Sequence, residues 1–147
     1  MSRPSDLIPA FRAVVAGAWP ETVVNGIWDS REAVMRSYEQ DMAMPYAVID
    51  VPGLPQSDRD GITNRAWRGP FAIYYVIETE GDFTALDAKL NALADALEAP
   101  LSAGQLVPKG VSLASGRDIE ANALLILLNA TQRAGQVSGV VAVGQQR

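Results

Sequence analysis

The chain contains neither cysteine nor histidine, and each absence closes a class of chemistry. Without thiols there is no disulfide framework, no cysteine nucleophile and no thiolate metal site. Without imidazole the usual general base near neutral pH is missing, together with the commonest metal ligand and the base of the common serine and cysteine nucleophile systems. Long apolar runs are also lacking. The longest wholly aliphatic run, Ala123 to Leu128, has six residues, against the roughly 18 to 20 that a membrane-spanning helix needs. The start, Met1-Ser2-Arg3-Pro4-Ser5-Asp6, sets an acid where a signal peptide turns apolar, and Arg12 interrupts the apolar stretch after it; no secretion signal is expected. Lysine is scarce, two residues against ten arginines. Arginine's planar fork suits carboxylate pairing at interfaces, although genomic base composition produces the same bias. No basic stripe of the kind that grips duplex phosphates is present, so tight nucleic-acid binding is not expected.

What remains is an ordinary globular composition. Of 147 residues, 48% are hydrophobic and 20% charged, and a chain of this length can bury roughly two-thirds of its unfolded surface in one core. No repeat, long linker or low-complexity tract appears, so residues 1–147 read as one domain. The net charge of −5 is unevenly spread: residues 1–77 sum to −2, residues 78–98 to −5 and residues 99–147 to +2.

Apolar spacing through Ile8, Phe11, Val14, Val15 and Ala18 predicts a helix over about 5–17, capped by Ser5 and ended by Gly17 and Trp19-Pro20. Asn25-Gly26 marks a turn, and Ile27 to Met44 shows no clean period. Tyr46 to Val51 reads as a strand ending at Pro52-Gly53, and Pro55 to Gly61 as a polar loop. Phe71 to Glu78 is the clearest strand, apolar on both alternating sets and therefore expected to be buried on both faces, with Gly69-Pro70 as a bulge or edge at its start. From Asp82 to Ala99 an amphipathic helix sets Phe83, Leu86, Leu90, Leu93 and Leu97 on one side and Asp87, Asn91, Asp95 and Glu98 on the other, with Pro100 as its stop. Thr84 with Asp87, or Asp82 alone, can cap it. Beyond Gln105 the pattern loosens. Leu106 to Leu113 can form a strand, and Ser115-Gly116 is a turn. Asp118 to Arg133 tilts to helix by its length, Val137 to Val143 reads as a last strand with Gly139 as its weak point, and Gly144 to Arg147 reads as a polar tail. A strand running directly into an amphipathic helix implies a two-layer α+β fold: a small, mostly antiparallel sheet covered by the N-terminal helix and the central amphipathic helix.

Carboxylates are the remaining source of chemistry. Glu78, Glu80 and Asp82 alternate and could face one cation, but a strand emerging into solvent beside a helix cap explains them better. Asp58, Asp60 and Gly61 lack the register and terminal glutamate of a calcium loop. No phosphate loop, dinucleotide fingerprint or nucleophile elbow is present, and Asn129-Ala130-Thr131 fits a glycosylation acceptor only by chance. The expectation is a non-enzyme with no catalytic, cofactor-binding or metal residues. Trp67 between Arg65 and Arg68 is the kind of aromatic and arginine cluster that anchors interfaces, and a tryptophan beside a buried strand is as often core. For Trp19 and Trp28 a core position is favoured. Arg65, Trp67, Arg68, Asp87, Asp95 and Glu98 are the candidate interface residues.

The order of these features resembles the small tail-terminator and tail-completion (neck) proteins of long-tailed bacteriophages and phage-like particles. The resemblance rests on the helix Asp6 to Ala16, the aromatic turn Asn25-Gly26-Ile27-Trp28-Asp29, the strand Pro45-Tyr46-Ala47-Val48-Ile49, and the long strand Trp67 to Glu78 leading into the helix Phe83 to Leu97. It spans about residues 5–100, is one of pattern without a signature motif, and fits residues 101–147 less well. It implies a homo-oligomeric ring, commonly six-fold, at the head-proximal end of the tail tube. The implied partners are tail-tube and head-tail connector proteins, with DNA passing through the lumen without sequence-specific binding. The implied location is the virion, after synthesis in the host bacterial cytoplasm. The acidic 78–98 segment could line that lumen, line a subunit contact, or face solvent. A head-closure protein, a small ligand-binding or regulatory module with one apolar pocket, and a carboxylate-dependent enzyme are the alternatives.

Overall fold

Two glycines in one strand and two aromatic side chains in its neighbour set how closely helices can approach this sheet. The computed structural model describes residues 7–39, 43–51, 59–60, 64–78, 84–102, 111–113, 120–122 and 132–146. Along the chain these form α1 (Leu7–Ala18), α2 (Glu21–Asn25), β1 (Ile27–Asp29), α3 (Ser30–Glu39), β2 (Tyr46–Asp50), β3 (Arg59–Asp60), β4 (Asn64–Glu78), α4 (Thr84–Ser102), β5 (Val111–Leu113), β6 (Glu120–Asn122) and β7 (Gln132–Gln146). The strands join one sheet in the order β1-β2-β4-β7-β5, with β3 also paired to β4 and β6 to β7. Only β1 and β2 run parallel, joined through α3; the other pairings are antiparallel. The architecture is the expected α+β one, a mostly antiparallel sheet covered by α1 and α4.

The axis of the sheet is the β4–β7 pair, in register over its whole length from Asn64↔Gln146 to Glu78↔Gln132. Period two sorts its residues. Ala47 and Ile49 of β2, Phe71, Ile73 and Tyr75 of β4, and Val137 and Val141 of β7 are buried and form the face under the helices. On that face Tyr75 stands opposite Gly135 and Phe71 opposite Gly139. A ring opposite a glycine is a recurrent pairing in sheets, and Gly139 lies within the paired length of β7. Phe11 of α1 packs on Phe71 at 4.9 Å between ring centroids, and Trp19, just past α1, packs on Tyr75 at the same distance with the planes at 59°. Eight residues of helix rise about 12 Å and four residues of strand about 13 Å. The spacing of Phe11 and Trp19 therefore matches that of Phe71 and Tyr75, and α1 lies along β4.

The other half of the cover is α4, whose Leu86, Leu90, Leu93 and Leu97 are all buried while Asp87, Asn91, Asp95 and Glu98 are exposed. Each such leucine contributes roughly 1.5–3 kcal/mol relative to an exposed one. Leu90 rests directly on the backbone of Gly135, where an added Cβ would lie 2.6 Å and 2.8 Å from the two Cδ atoms of Leu90.

Several sequence expectations are corrected. The stretch from Ile27 is ordered as β1 and α3. Asp29 accepts a 2.8 Å hydrogen bond from the Glu32 backbone N–H, a capping arrangement whose spacing is present in the sequence. Arg59 and Asp60, expected in a loop, pair with Arg65 and Asn64. Gly69-Pro70 lies inside β4, not at its start. Proline's missing donor is tolerated because, among the described residues, the edge of β4 away from β7 is unpaired between the β3 and β2 contacts. The second face of β4 is not uniformly buried: Val76 is, but Ala72 and Tyr74 are half-buried. Pro100 does not stop α4, which continues to Ser102; contacts with β5 and β7 hold α4 in place. The expected helix over 118–133 is replaced at both ends by strand, Glu120–Asn122 and the start of β7, and Gly144 to Gln146 continue β7 instead of forming a tail. Residues 123–131, like Ser5, Phe83 and the Ser115-Gly116 turn, lie outside the described residues.

Gly135→Ala should destabilise the protein by about 1–3 kcal/mol, because Leu90 is buried and has nowhere to move. Gly17→Ala should do the reverse. Its Cβ would meet nothing within 4 Å on an exposed helical position, so a gain of roughly 0.5–1 kcal/mol is expected. Urea denaturation of the two variants beside the parent checks both signs.

Candidate functional site

Where α1 ends, three elements are joined by one carboxylate. Pro20 starts α2, and Glu21 in its first turn accepts hydrogen bonds at Oε1 from the Tyr75 hydroxyl of β4 (2.9 Å) and from the Lys89 ammonium of α4 (2.8 Å). Next to it the Trp19 indole N–H donates to the Lys89 carbonyl oxygen at 2.8 Å. Thr22 is buried and its hydroxyl donates to the Trp19 carbonyl at 2.7 Å. Gly26 follows at φ 134°, a conformation that disfavours a side chain, and a Cβ there would overlap the Trp28 indole. Its carbonyl accepts from Ala47 N–H at 3.1 Å, which starts the β1–β2 pairing. Asn25 Nδ2 reaches the carbonyl of Pro45 at 2.9 Å.

The electrostatics of this cluster are those of a clasp. Partial burial opposes the charge on Glu21, but the bonds from Lys89, its own backbone N–H and Tyr75 together outweigh it, and the carboxyl pKa falls below its ordinary value. Burial and then the Glu21 charge push the Tyr75 hydroxyl far above the usual tyrosine range. A carboxylate so stabilised and a phenol so reluctant to ionise form a poor acid–base pair at neutral pH. A second tie joins α1 to α3, where Arg12 and Glu32 pair at 2.6 Å. The Asp29 carboxyl is held below its ordinary value, first by the Glu32 backbone N–H that it caps.

The candidate interface residues fall into two groups. Asp87, Asp95 and Glu98 lie on the outer face of α4, exposed, and no hydrogen bond or ion pair among the described residues engages them. Ala85, Ala88, Ala92 and Ala96 are exposed with them. Arg65, Trp67 and Arg68 lie in the first part of β4, in register with Gln145, Val143 and Ala142 of β7. Their side chains lie outside the described set, and so does the choice between core and interface for Trp67. Trp19 is fully buried, as favoured, and Trp28 is half-buried. Among the described residues no three acids gather where a metal could be held. Glu78 ends β4 exposed, while Glu80, Asp82 and Asp58 lie outside the described residues.

On the face of the sheet away from the α1 and α4 core, one cross-strand row runs Trp28, Val48, Tyr74, Gln136 and Asn122. Within it Gln136 Nε2 donates to the Tyr74 hydroxyl at 3.2 Å. Burial raises the pKa of both Tyr46 and Tyr74. Among the described residues no helix is long and apolar enough to cross a membrane.

The clasp gives stability a defined acid limb. Because the folded-state pKa of Glu21 lies below its unfolded value, its contribution is full above the unfolded value near 4.5 and is lost as pH falls through the folded one. Glu21→Gln should cost about 1 kcal/mol at pH 7, given a bond to a charged group and a half-exposed ion pair. It should also flatten the decline in stability between about pH 5 and 3, measured as urea midpoints across that range. No family model matches the chain, and no curated protein matches it.

Proposed function

We propose that the chain is a structural subunit of a phage tail or neck, one copy of a ring at the head-proximal end of the tail tube, and that it acts by assembly and not by catalysis. The observation that carries this reading is the division of α4. Its leucines are all used on the chain's own sheet, and its acid-and-alanine side is left outward. The helix is thus finished as a core element and presents a flat charged face to whatever lies beside it. The order of elements supports the same reading: an N-terminal helix, strand β1 carrying Trp28, strand β2, and the long strand β4 leading into α4. In such a ring the neighbours are copies of the chain, tail-tube and connector proteins, and DNA in transit through the lumen. No residue is assigned to chemistry, no metal or cofactor is needed, and the place of action is the virion.

Solution mass at micromolar concentration, measured for the chain alone and mixed with tail tubes, tests the proposal. A defined ring, six-fold by resemblance, is expected in at least one of the two conditions, and the chain is expected in purified particles at a matching copy number. A strict monomer in both, with a small molecule bound in an apolar pocket, would replace the proposal with a ligand-binding module. Trp67→Ala should abolish assembly while the isolated subunit keeps its circular dichroism and thermal transition. Loss of folding would place Trp67 in the core instead.

A further inference from the structure

The first helix is apolar on both of its sides. Its inner side is spent on the core through Leu7, Phe11 and Val15. Pro9, Ala13 and Gly17 each stand two residues from Phe11 or Val15, about 200° round the helix, and all three are exposed. A surface helix ordinarily carries charged or polar residues there. The one polar side chain of α1 is Arg12, and it is held by Glu32 of α3. The same reversal continues in α2. Glu21 and Thr22 turn inward, the first bonded to Tyr75 and Lys89 and the second fully buried. Val23 is 55% and Val24 90% exposed, and Val24, two residues on from Thr22, lies on the opposite side of α2.

Gly17 is a separate observation. Among the described residues Gly26 alone has a positive φ, so the conformation of Gly17 does not demand glycine. A Cβ on it would meet nothing within 4 Å, so packing within the chain does not demand it either. A helical glycine is less stable than an alanine, and a bare Cα on an exposed face suits the close approach of another backbone. The charge on the molecule identifies whose backbone that is. The chain carries −5, and two copies approaching through the acids of α4 would repel each other. Residues 7–25 hold only two ionisable side chains, Arg12 and Glu21, opposite in sign and each tied within the chain. On this face two copies meet with no like charges opposed.

We infer that two copies of the chain pair about a two-fold axis through the outer face of α1 and α2, with the two α1 helices antiparallel. The axis passes near Gly17, midway along the stripe from Pro9 to Val24. The ends of the stripe differ in relief: Val23 and Val24 project at one, while Pro9 and Ala13 lie low at the other. The antiparallel arrangement seats the valines of each copy on the low end of the other. A two-fold contact closes with two copies, so it neither builds nor requires the ring proposed above. The stripe is roughly 20 Å long and one helix wide, well short of the about 800 Å² a side that a standard interface buries. Pairing is therefore weak, with a dissociation constant on the order of 100 µM.

Sedimentation equilibrium of the full chain between about 10 µM and 1 mM tests the pairing. It should appear toward the top of that range and be unchanged between about 0.1 M and 1 M salt, because no charge takes part. Val24→Glu should weaken it on the order of tenfold or more. Gly17→Gln should weaken it as much while its urea midpoint stays at or above the parent's, since glutamine favours helix over glycine; association is thereby separated from folding. The chain has no cysteine, so an introduced thiol reports alone. Gly17→Cys should oxidise to a disulfide-linked dimer, because a residue at a two-fold axis can reach its own copy within the roughly 4.4–6.8 Å between Cα atoms that a disulfide needs. Ala92→Cys, also exposed but on α4, should stay unlinked. Pairing that survives both Val24→Glu and Gly17→Gln, pairing that high salt abolishes, or a chain still unpaired at about 1 mM overturns the inference. If the two substitutions spare self-association but lower binding to tail tubes, the face belongs to the tube and the two-fold contact is likewise overturned. Rings formed at micromolar concentration should survive both substitutions; their loss would make this face a ring contact and overturn the two-fold pairing. Absence of any ring removes the earlier proposal and leaves this one to its own measurements.

Discussion

The close approach of helices to the β4–β7 pair is the constraint on which the rest of this structure depends. It exists because β7 offers backbone instead of side chain at Gly135 and Gly139, and because β4 places Tyr75 and Phe71 opposite them. Trp19 and Phe11 settle on those rings. Leu90 occupies the space that Gly135 vacates. Each of these contacts presupposes the others, as expected of an interior packed to crystalline density. The sheet face, α1 and α4 therefore stand or fall as a unit.

Polar groups in the molecule are distributed to support that unit. Glu21, Tyr75, Lys89 and the Trp19 indole fasten the end of α1 to α4 and β4 at the point where the chain must turn outward into α2 and β1. Arg12 and Glu32 fasten α1 to α3 on the other flank. Both ion pairs are half-exposed, which limits their energetic worth. Their value lies in fixing orientation: the hydrophobic effect has no direction of its own, and the hydrogen bonds supply one. The acids on the outside of α4 belong to neither tie.

Where periodicity is strong, the fold is legible from the residues. The leucine stripe of α4 and the apolar stripe of α1 each lead to the correct element and buried side, and Phe71 to Glu78 leads to the correct strand, although its second face is less buried than its apolar residues suggest. The remainder is hidden for identifiable reasons. Strand β6, Glu-Ala-Asn, has no intrinsic strand preference and forms by pairing with β7, and β7 itself is disguised by glycine, glutamine and serine. Pro100 and Pro70 have the local character of terminators, yet tertiary contacts override local preference at Pro100 and an unpaired edge accommodates Pro70. The Asp29 and Glu32 spacing does announce α3, but that stretch has no clean apolar period. Of the candidate interface, the exposure of the α4 acids follows from their spacing, whereas the pairing of Arg65 with Arg59 in the ladder depends on a two-residue strand that no local pattern marks.

The sheet's central partnership is also its most distant one along the chain. Glu78 and Gln132 are the nearest paired residues of β4 and β7 in sequence, and Asn64 must find Gln146. Loop-closure entropy on that scale must be met before the long ladder returns anything, and topologies dominated by remote pairing fold slowly. During synthesis β4 and the leucine side of α4 leave the ribosome well before β7 exists to receive them. In that interval the apolar surfaces that will become the core are open to other nascent chains. The cell must carry this chain through a vulnerable stage that the finished sheet no longer reveals.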